Sequence, residues 1–157
     1  MKIQLWSIGK EHEPYVKPGT DDFKRRIARY YPVEWKLIAP PKNAATLSVS
    51  ELRKKEGQSI LDALTKDDWL VALDERGKQM TSEGLAQLLQ ARANESAKHL
   101  VFLIGGIHGL DEAVLQRADM RWSLSLLTFP HQLVRLVLAE QLYRACSILR
   151  NEKYHHP

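Results

Sequence analysis

The residues able to do chemistry crowd into the last third of the chain. Gly105, Gly106 and Gly109 in FLIGGIHGLDEAV stand between an apolar run and a helix-like segment, an arrangement that lets backbone approach a ligand closely. A tight turn needing positive φ would use the same glycines. Asp111 and Glu112 fill the first turn that follows, where free helix amides would otherwise hold a phosphate, and their charges repel a pyrophosphate. The turn also comes late in the chain, and no phosphate-cradling GxxxxGK loop occurs anywhere, which argues against dinucleotides and ATP. A cofactor without phosphates and with a positive centre tolerates this environment, and S-adenosylmethionine belongs to that class.

Downstream, the segment from Ser123 to Pro130 is an apolar loop carrying the hydroxyls of Ser123, Ser125 and Thr128. Loops are normally polar, so an apolar one beside a glycine turn is either the wall of a site for a flat ligand or a connection packed in the core. The chain closes on RNEKYHHP, where cations, an aromatic ring and two imidazoles gather. A solvated tail is the plain reading of such an end. A phosphate- and base-contacting element is the functional one: Arg pairs with phosphate, Tyr154 can stack, and His155 can handle a proton near neutrality. His131, His155 and His156 have no metal-ligand spacing and no metal is expected, while His12, His99 and His108 read as surface or strand-edge residues. Cys146 reads as a small core residue, and Lys24, Arg25, Arg26 and Arg29 as a solvated basic face able to track an RNA backbone.

The elements that must position these residues follow from pattern. A chain of 157 residues with 44% hydrophobic and 27% charged residues suits one globular domain over 1–157, and a net charge of +4 permits an anionic partner. A single cysteine and the absence of a long apolar run point to the cytoplasm. Alternation and turn signals give strands from residue 2, over VEWKLIA, over 69–73 closed by Asp74–Gly77, over 99–104 and over 122–125. Between them the spacing predicts helices over 14–31, from Ser48 or Ser50 to Leu64, from Thr81 to Asn94, over 111–118, and from about Pro130 to Leu149. Strands alternating with helices mean an α/β fold with a mostly parallel sheet and flanking helices. The last helix is apolar around nearly its whole circumference, with one polar stripe of Glu140, Arg144 and Ser147. Such a helix in so short a chain calls for cover from a second subunit, hence a homodimer.

The blocks LIGGIHGL, SLSLLTFPHQLVRLVLAEQLYRA and KYHHP, joined by IGK, KKEGQ, LDERGK and TSEGLA, resemble one family over essentially the whole chain. They are similar to the ribosomal RNA large-subunit methyltransferase H (RlmH) family of the SPOUT class. The resemblance implies an α/β knot with a C-terminal trefoil, and methylation of N3 of a pseudouridine in helix 69 of 23S rRNA on the assembled ribosome. It implies a homodimer whose active site lies at the interface, with the tail near the methyl donor. It places S-adenosylmethionine against Leu73, against Gly105 in its turn with Gly106 and Gly109, and against Leu124, Ser125, Leu126, Leu127, Thr128 and Phe129. On residue chemistry, His155 or else His131 would take or relay the N3 proton, while Arg135, Arg144 and Tyr154 would orient the base or its phosphate. The ending His156-Pro157 departs from the family, which commonly carries a fixed cation there. Two other readings stay open: a non-catalytic RNA- or ribosome-binding protein, and a SPOUT methyltransferase acting on another RNA such as tRNA.

Overall fold

The computed structural model describes residues 1–157. Five parallel strands form one sheet in the order β2-β1-β4-β3-β5, built from β1 (Lys2–Ile8), β2 (Val33–Ile38), β3 (Asp68–Lys78), β4 (His99–Ile104) and β5 (Met120–Trp122). The helices are α1 (Lys17–Ile27), α2 (Val49–Ala63), α3 (Ser82–Asn94), α4 (Glu112–Arg117) and α5 (His131–Leu149). Side chains alternate across a strand, and here both faces of the sheet are covered. Ile3, Leu5, Leu100 and Phe102 face α1, α3 and α5 through Ile27, Leu85, Leu89, Leu138 and Leu142. Trp6, Ile8, Val101 and Leu103 face α2 and α4 through Ile60, Val114 and Leu115.

Local chemistry fixes the helix starts. Ser48 and Thr81 accept from the amides of Glu51 and Gly84 at 3.2 and 2.9 Å, capping α2 and α3. The expected helix over 14–31 is trimmed to Lys17–Ile27. At its end Tyr30 and Tyr31 both return their amides to the Ile27 carbonyl, which closes the helix in a tight turn. Gly19 sits where an added Cβ would lie 2.5 Å from Leu136 Cδ1, so α1 and α5 approach closely.

Two strands differ from expectation, and the difference shapes the site. β3 runs past Leu73 to Lys78, and its ladder with β5 breaks after Leu73 and resumes at Lys78, both residues pairing Trp122. Asp74 to Gly77 therefore bulge outward rather than ending the strand. Gly77 permits the return, since a Cβ there would lie 2.6 Å from the Arg121 carbonyl carbon. β5 occupies Met120–Trp122 instead of 122–125. Ser123 Oγ donates to the Ser125 carbonyl at 3.0 Å and Ser125 Oγ accepts from the Leu127 amide at 3.0 Å, local bonds that compete with a ladder.

The long helix also needs correcting. No residue of α5 is exposed in the single chain, because α1, α3 and the sheet already cover most of it. Ser147 is not on a polar stripe: it is fully buried and donates to the Arg144 carbonyl at 2.7 Å. Leu133, Val137, Glu140 and Gln141 are left half-covered.

Candidate active site

The carboxyl ends of β3, β4 and β5 meet in a cleft, the usual place for a ligand in a parallel sheet. Leu73, Ile104 and Trp122 form its floor, the loop from Ser123 to Phe129 forms one wall, and His131 with Val134 from the start of α5 closes it. The cavity is about 160 Å³, below the roughly 300 Å³ of a site for a whole drug-sized ligand. A larger ligand would therefore extend beyond the cavity. Leu127 of the lining is 71% exposed, Leu126 beside it in the loop is 85% exposed and outside the lining, and Ile107 in the glycine turn is 76% exposed.

The glycine turn closes tightly. Gly109 has φ +81°, Gly106 and Gly109 bridge each other, and a Cβ on Gly105 would lie 2.9 Å from Leu110. Behind it Glu56 is buried, its carboxylate lying where a Cβ on Gly106 would be 3.0 Å from Oε1. Burial pushes the Glu56 carboxyl above its usual range, with His108 opposing. Asp111 caps α4 through the Ala113 amide, so the acidic first turn expected to exclude phosphate is in place.

Two buried polar atoms in the cleft make no hydrogen bond: Trp122 Nε1, and Asp74 Oδ2, whose one contact is an ion pair with the exposed Arg76 at 3.3 Å. Buried polar groups are nearly always satisfied, so an unbonded donor and a carboxylate oxygen held only by an exposed ion partner, lining one cavity, mark where a polar or cationic ligand would bond. His131 in the wall is kept neutral, its pKa lowered by burial and by the Arg135 charge against an opposing contact with the Gly105 backbone.

Arg135 lies one turn beyond His131 and is 2% exposed. Its Nη1 donates to the Lys10 carbonyl at 2.8 Å and meets His12 Nδ1 at 3.1 Å. Gln132 adds bonds to the Glu11 carbonyl and the Glu13 amide. The loop after β1 is thereby strapped to the start of α5. His12, expected at the surface, is instead half-buried with its ring edge-on to Trp35 at 4.6 Å.

Arg144, Tyr154 and His155 are brought together, but not at this cleft. Arg144 grips Glu140 Oε1 through Nε and Nη2 at 2.9 and 2.6 Å, and Tyr154 donates to the same oxygen at 3.2 Å. The guanidinium lies 4.7 Å over the Tyr154 ring. His155 meets Arg144 Nη1 through Nδ1 at 3.2 Å and Glu83 Oε1 through Nε2 at 2.8 Å. Along α5, His131 and Arg144 are separated by roughly 20 Å at 1.5 Å per residue. Asp74, Trp122 and Glu83 were not among the sequence-level candidates. Asp74 and Glu83 lie inside the LDERGK and TSEGLA blocks, the one signal that could have found them. On α1, Asp22 pairs with both Arg25 and Arg26 at 2.6 and 3.1 Å, so the basic run is partly neutralised.

Comparison with known proteins gives concordant results. A family model described as "Predicted SPOUT methyltransferase" matches residues 1–155. The chain is 46% identical over 156 residues to the ribosomal RNA large subunit methyltransferase H of Cytophaga hutchinsonii, covering 99% of this chain and 100% of that one. It is 44% identical over 156 residues to the protein of the same name from Parabacteroides distasonis, covering 99% of each. Among solved structures, a probable methyltransferase from Bordetella pertussis Tohama I matches with a TM-score of 0.57 at 16% identity, covering 92% of this chain and 95% of that one. At that identity the likeness concerns the fold.

Proposed function

The chain belongs to the SPOUT methyltransferase family, and on that premise we propose that it methylates N3 of a pseudouridine in helix 69 of 23S rRNA, using S-adenosylmethionine and acting as a homodimer on the large ribosomal subunit in the cytoplasm. The observation that carries the cofactor is the cleft with Trp122 Nε1 unbonded and Asp74 Oδ2 held only by the exposed Arg76. A cationic, phosphate-free ligand with hydroxyl and amino groups can satisfy both atoms, and the acidic turn at Asp111 and Glu112 disfavours phosphate-bearing rivals. Leu73, the turn at Gly105, Gly106 and Gly109, and the loop from Leu124 to Phe129 would hold it, in the C-terminal trefoil that the family implies. Bound there, S-adenosylmethionine supplies a methyl group already activated by its sulfonium.

What remains for the protein is alignment, exclusion of water and removal of the N3 proton. Leu124, Leu127 and Phe129 line an apolar wall that would help exclude water once a ligand fills the cleft. His131 is neutral and stands at the wall, while Arg135 holds the start of α5 against the loop after β1. Arg144, Tyr154 and His155 are the groups for the acceptor base, and they lie roughly 20 Å along α5 from their own cleft. A second copy seated on Ile107, Leu126 and Leu127, which stand 76%, 85% and 71% exposed, would bring its tail to that cleft. The exposure of these apolar side chains and the half-covered stripe of α5, rather than an all-round apolar helix, support the dimer. No helix is long and apolar enough to cross a membrane.

The test is transfer of labelled methyl groups to intact ribosomes, naked rRNA and tRNA, with calorimetric titration of S-adenosylmethionine alongside. Label confined to one pseudouridine of ribosomal large-subunit RNA is the expected result. Cofactor binding without transfer to any rRNA, or label appearing in tRNA, would overturn the substrate assignment.

A further inference from the structure

Glu83 sits at the start of α3, far in sequence from the tail, yet its carboxylate contacts the one tail imidazole whose two ring nitrogens are both engaged. The His155 side chain is 14% exposed. A guanidinium can only donate, so the contact from Arg144 Nη1 makes Nδ1 an acceptor and puts the ring proton of the neutral imidazole on Nε2, where it donates to Glu83. Carboxylate, N–H and opposite lone pair then stand in the order used wherever a carboxylate sets the tautomer of a basic histidine. The charged and titratable groups around the ring are Glu83 from α3, Arg144 and through it Glu140 from α5, and Tyr154 from the tail.

We propose that Glu83 is a positioning residue for methyl transfer: its carboxylate holds His155 in the Nε2–H tautomer and presents Nδ1 as the nitrogen that takes the N3 proton of the acceptor base. This rests on the function proposed above and extends it to a residue outside the cofactor cleft. Arg144 is fastened to Glu140 by Nε and Nη2, so Nη1, which meets His155 Nδ1, is the nitrogen not tied to that carboxylate. The N3–H of a uracil-type base is flanked by two carbonyl oxygens. When Nη1 moves from Nδ1 to one of those oxygens it binds the base and clears Nδ1 in the same shift. The proton passes from N3 to Nδ1, and the electron pair left on N3 forms the bond to the methyl carbon. The carbon–sulfur pair leaves with sulfur, turning the sulfonium into a neutral thioether, and the new imidazolium is flanked by the Glu83 carboxylate. The Glu83 carboxyl is held below its usual range, chiefly by the hydrogen bond from His155, so it is ionised at neutral pH and ready to do this.

Glu83→Gln separates charge from shape, because the amide oxygen still accepts from Nε2–H. In single-turnover methylation of ribosomes, Glu83→Gln should lower the rate at neutral pH about tenfold with KM unchanged within about twofold, and move the acid limb of the rate–pH profile down by about one unit. Glu83→Ala should cost about 100-fold, and its ¹⁵N spectrum should change His155 from one tautomer, with Nε2 protonated and Nδ1 bare, to a mixture. A Glu83→Gln enzyme with wild-type rate and acid limb would show a docking contact only and overturn the proposal. So would a Glu83→Ala protein that keeps the single tautomer. The ring spectra are read without substrate. A wild-type protein inactive on ribosomes but with the Nε2–H tautomer set by Glu83 would therefore locate the failure in the assigned function, taking the catalytic half of the proposal with it. A lost tautomer in an active enzyme would locate the failure in Glu83.

Discussion

Asp74→Asn tests the cleft most directly, because the carboxylate is nearly isostructural with the amide and has little to lose in the free protein. Its side chain is 12% exposed, and its only ionic neighbour is Arg76, at 3.3 Å and itself 67% exposed. The remaining bonds, from the Arg76 amide and Nε to Oδ1, are long at 3.5 Å. An exposed partner of this kind is worth less than about 1 kcal/mol, so the melting temperature should fall by no more than about 4 °C for a chain of this length. Ligand binding should respond differently. Hydrogen bonds to a charged group contribute about 1.5–3 kcal/mol against about 1 for a neutral pair, so neutralising Oδ2 should cost about 1.4 kcal/mol, a tenfold rise in Kd. Calorimetric titration with S-adenosylmethionine and with its demethylated thioether product measures this and also the sign of the interaction. A larger loss for the sulfonium means that the carboxylate serves the positive centre, and equal losses mean that it reads a hydroxyl or amino group common to both. A Kd within twofold of wild type, or a melting temperature lower by more than about 6 °C, would refute the assignment of Asp74 to the ligand.

Burial pushes the Cys146 thiol up to about 12, so at pH 8 only roughly one molecule in ten thousand is thiolate. A disulfide reagent should modify it at the unfolding rate in buffer and within seconds in urea, and fast labelling of the native protein would contradict a core position. Glu56 is buried against Gly106 with its pKa raised, so the folded state favours the protonated acid. Its contribution is then fully present below about pH 4.3, the unfolded value, and is lost as pH rises through the folded one. Glu56→Gln should accordingly melt higher than wild type, with a gap that opens above about pH 4.3 and then levels off; equal melting temperatures at pH 4 and pH 7 would count against it. If each tail serves the partner's cleft, co-expressed Asp74→Ala and His155→Ala chains should give mixed dimers with one intact site, and roughly a quarter of wild-type activity from random pairing. Activity no higher than in either variant alone would place tail and cleft on the same chain.

Much of the fold could be read from pattern alone because the signals were local. β4 is a continuous apolar run ending in glycine, and α2 and α3 open on the capping residues Ser48 and Thr81. Where pattern misled, a distant contact decided the outcome. Asp74 to Gly77 are polar and read as the end of a strand, yet β3 resumes at Lys78 because Gly77 fits against the Arg121 backbone. α5 read as apolar around nearly its whole circumference with Ser147 on a polar stripe, because helical periodicity does not reveal how much of its surface α1, α3 and the sheet enclose. The site divides in the same way. The apolar loop stood out because an apolar loop is unusual, and it lines the cleft, whereas the glycines of the turn are not among the lining residues. The buried cleft atoms of Asp74 and Trp122 that make no hydrogen bond, and the Glu83–His155 contact, 72 residues apart, depend on tertiary placement.

The length of α5 bears on the proposed dimer. Its first turn supplies His131 to the cleft, and its fourth supplies Arg144 to the tail cluster. A helix is rigid along its axis, so the two ends are held roughly 20 Å apart, too far for His155 to reach a base whose N3 lies at its own cleft. The tail cannot close the gap by bending back, because Tyr154 and His155 are already fastened to Glu140, Arg144 and Glu83. Two such helices related by a two-fold axis and packed antiparallel would put the tail end of each beside the cleft end of the other. The same rod that separates donor and acceptor chemistry within one chain then sets their spacing across a pair.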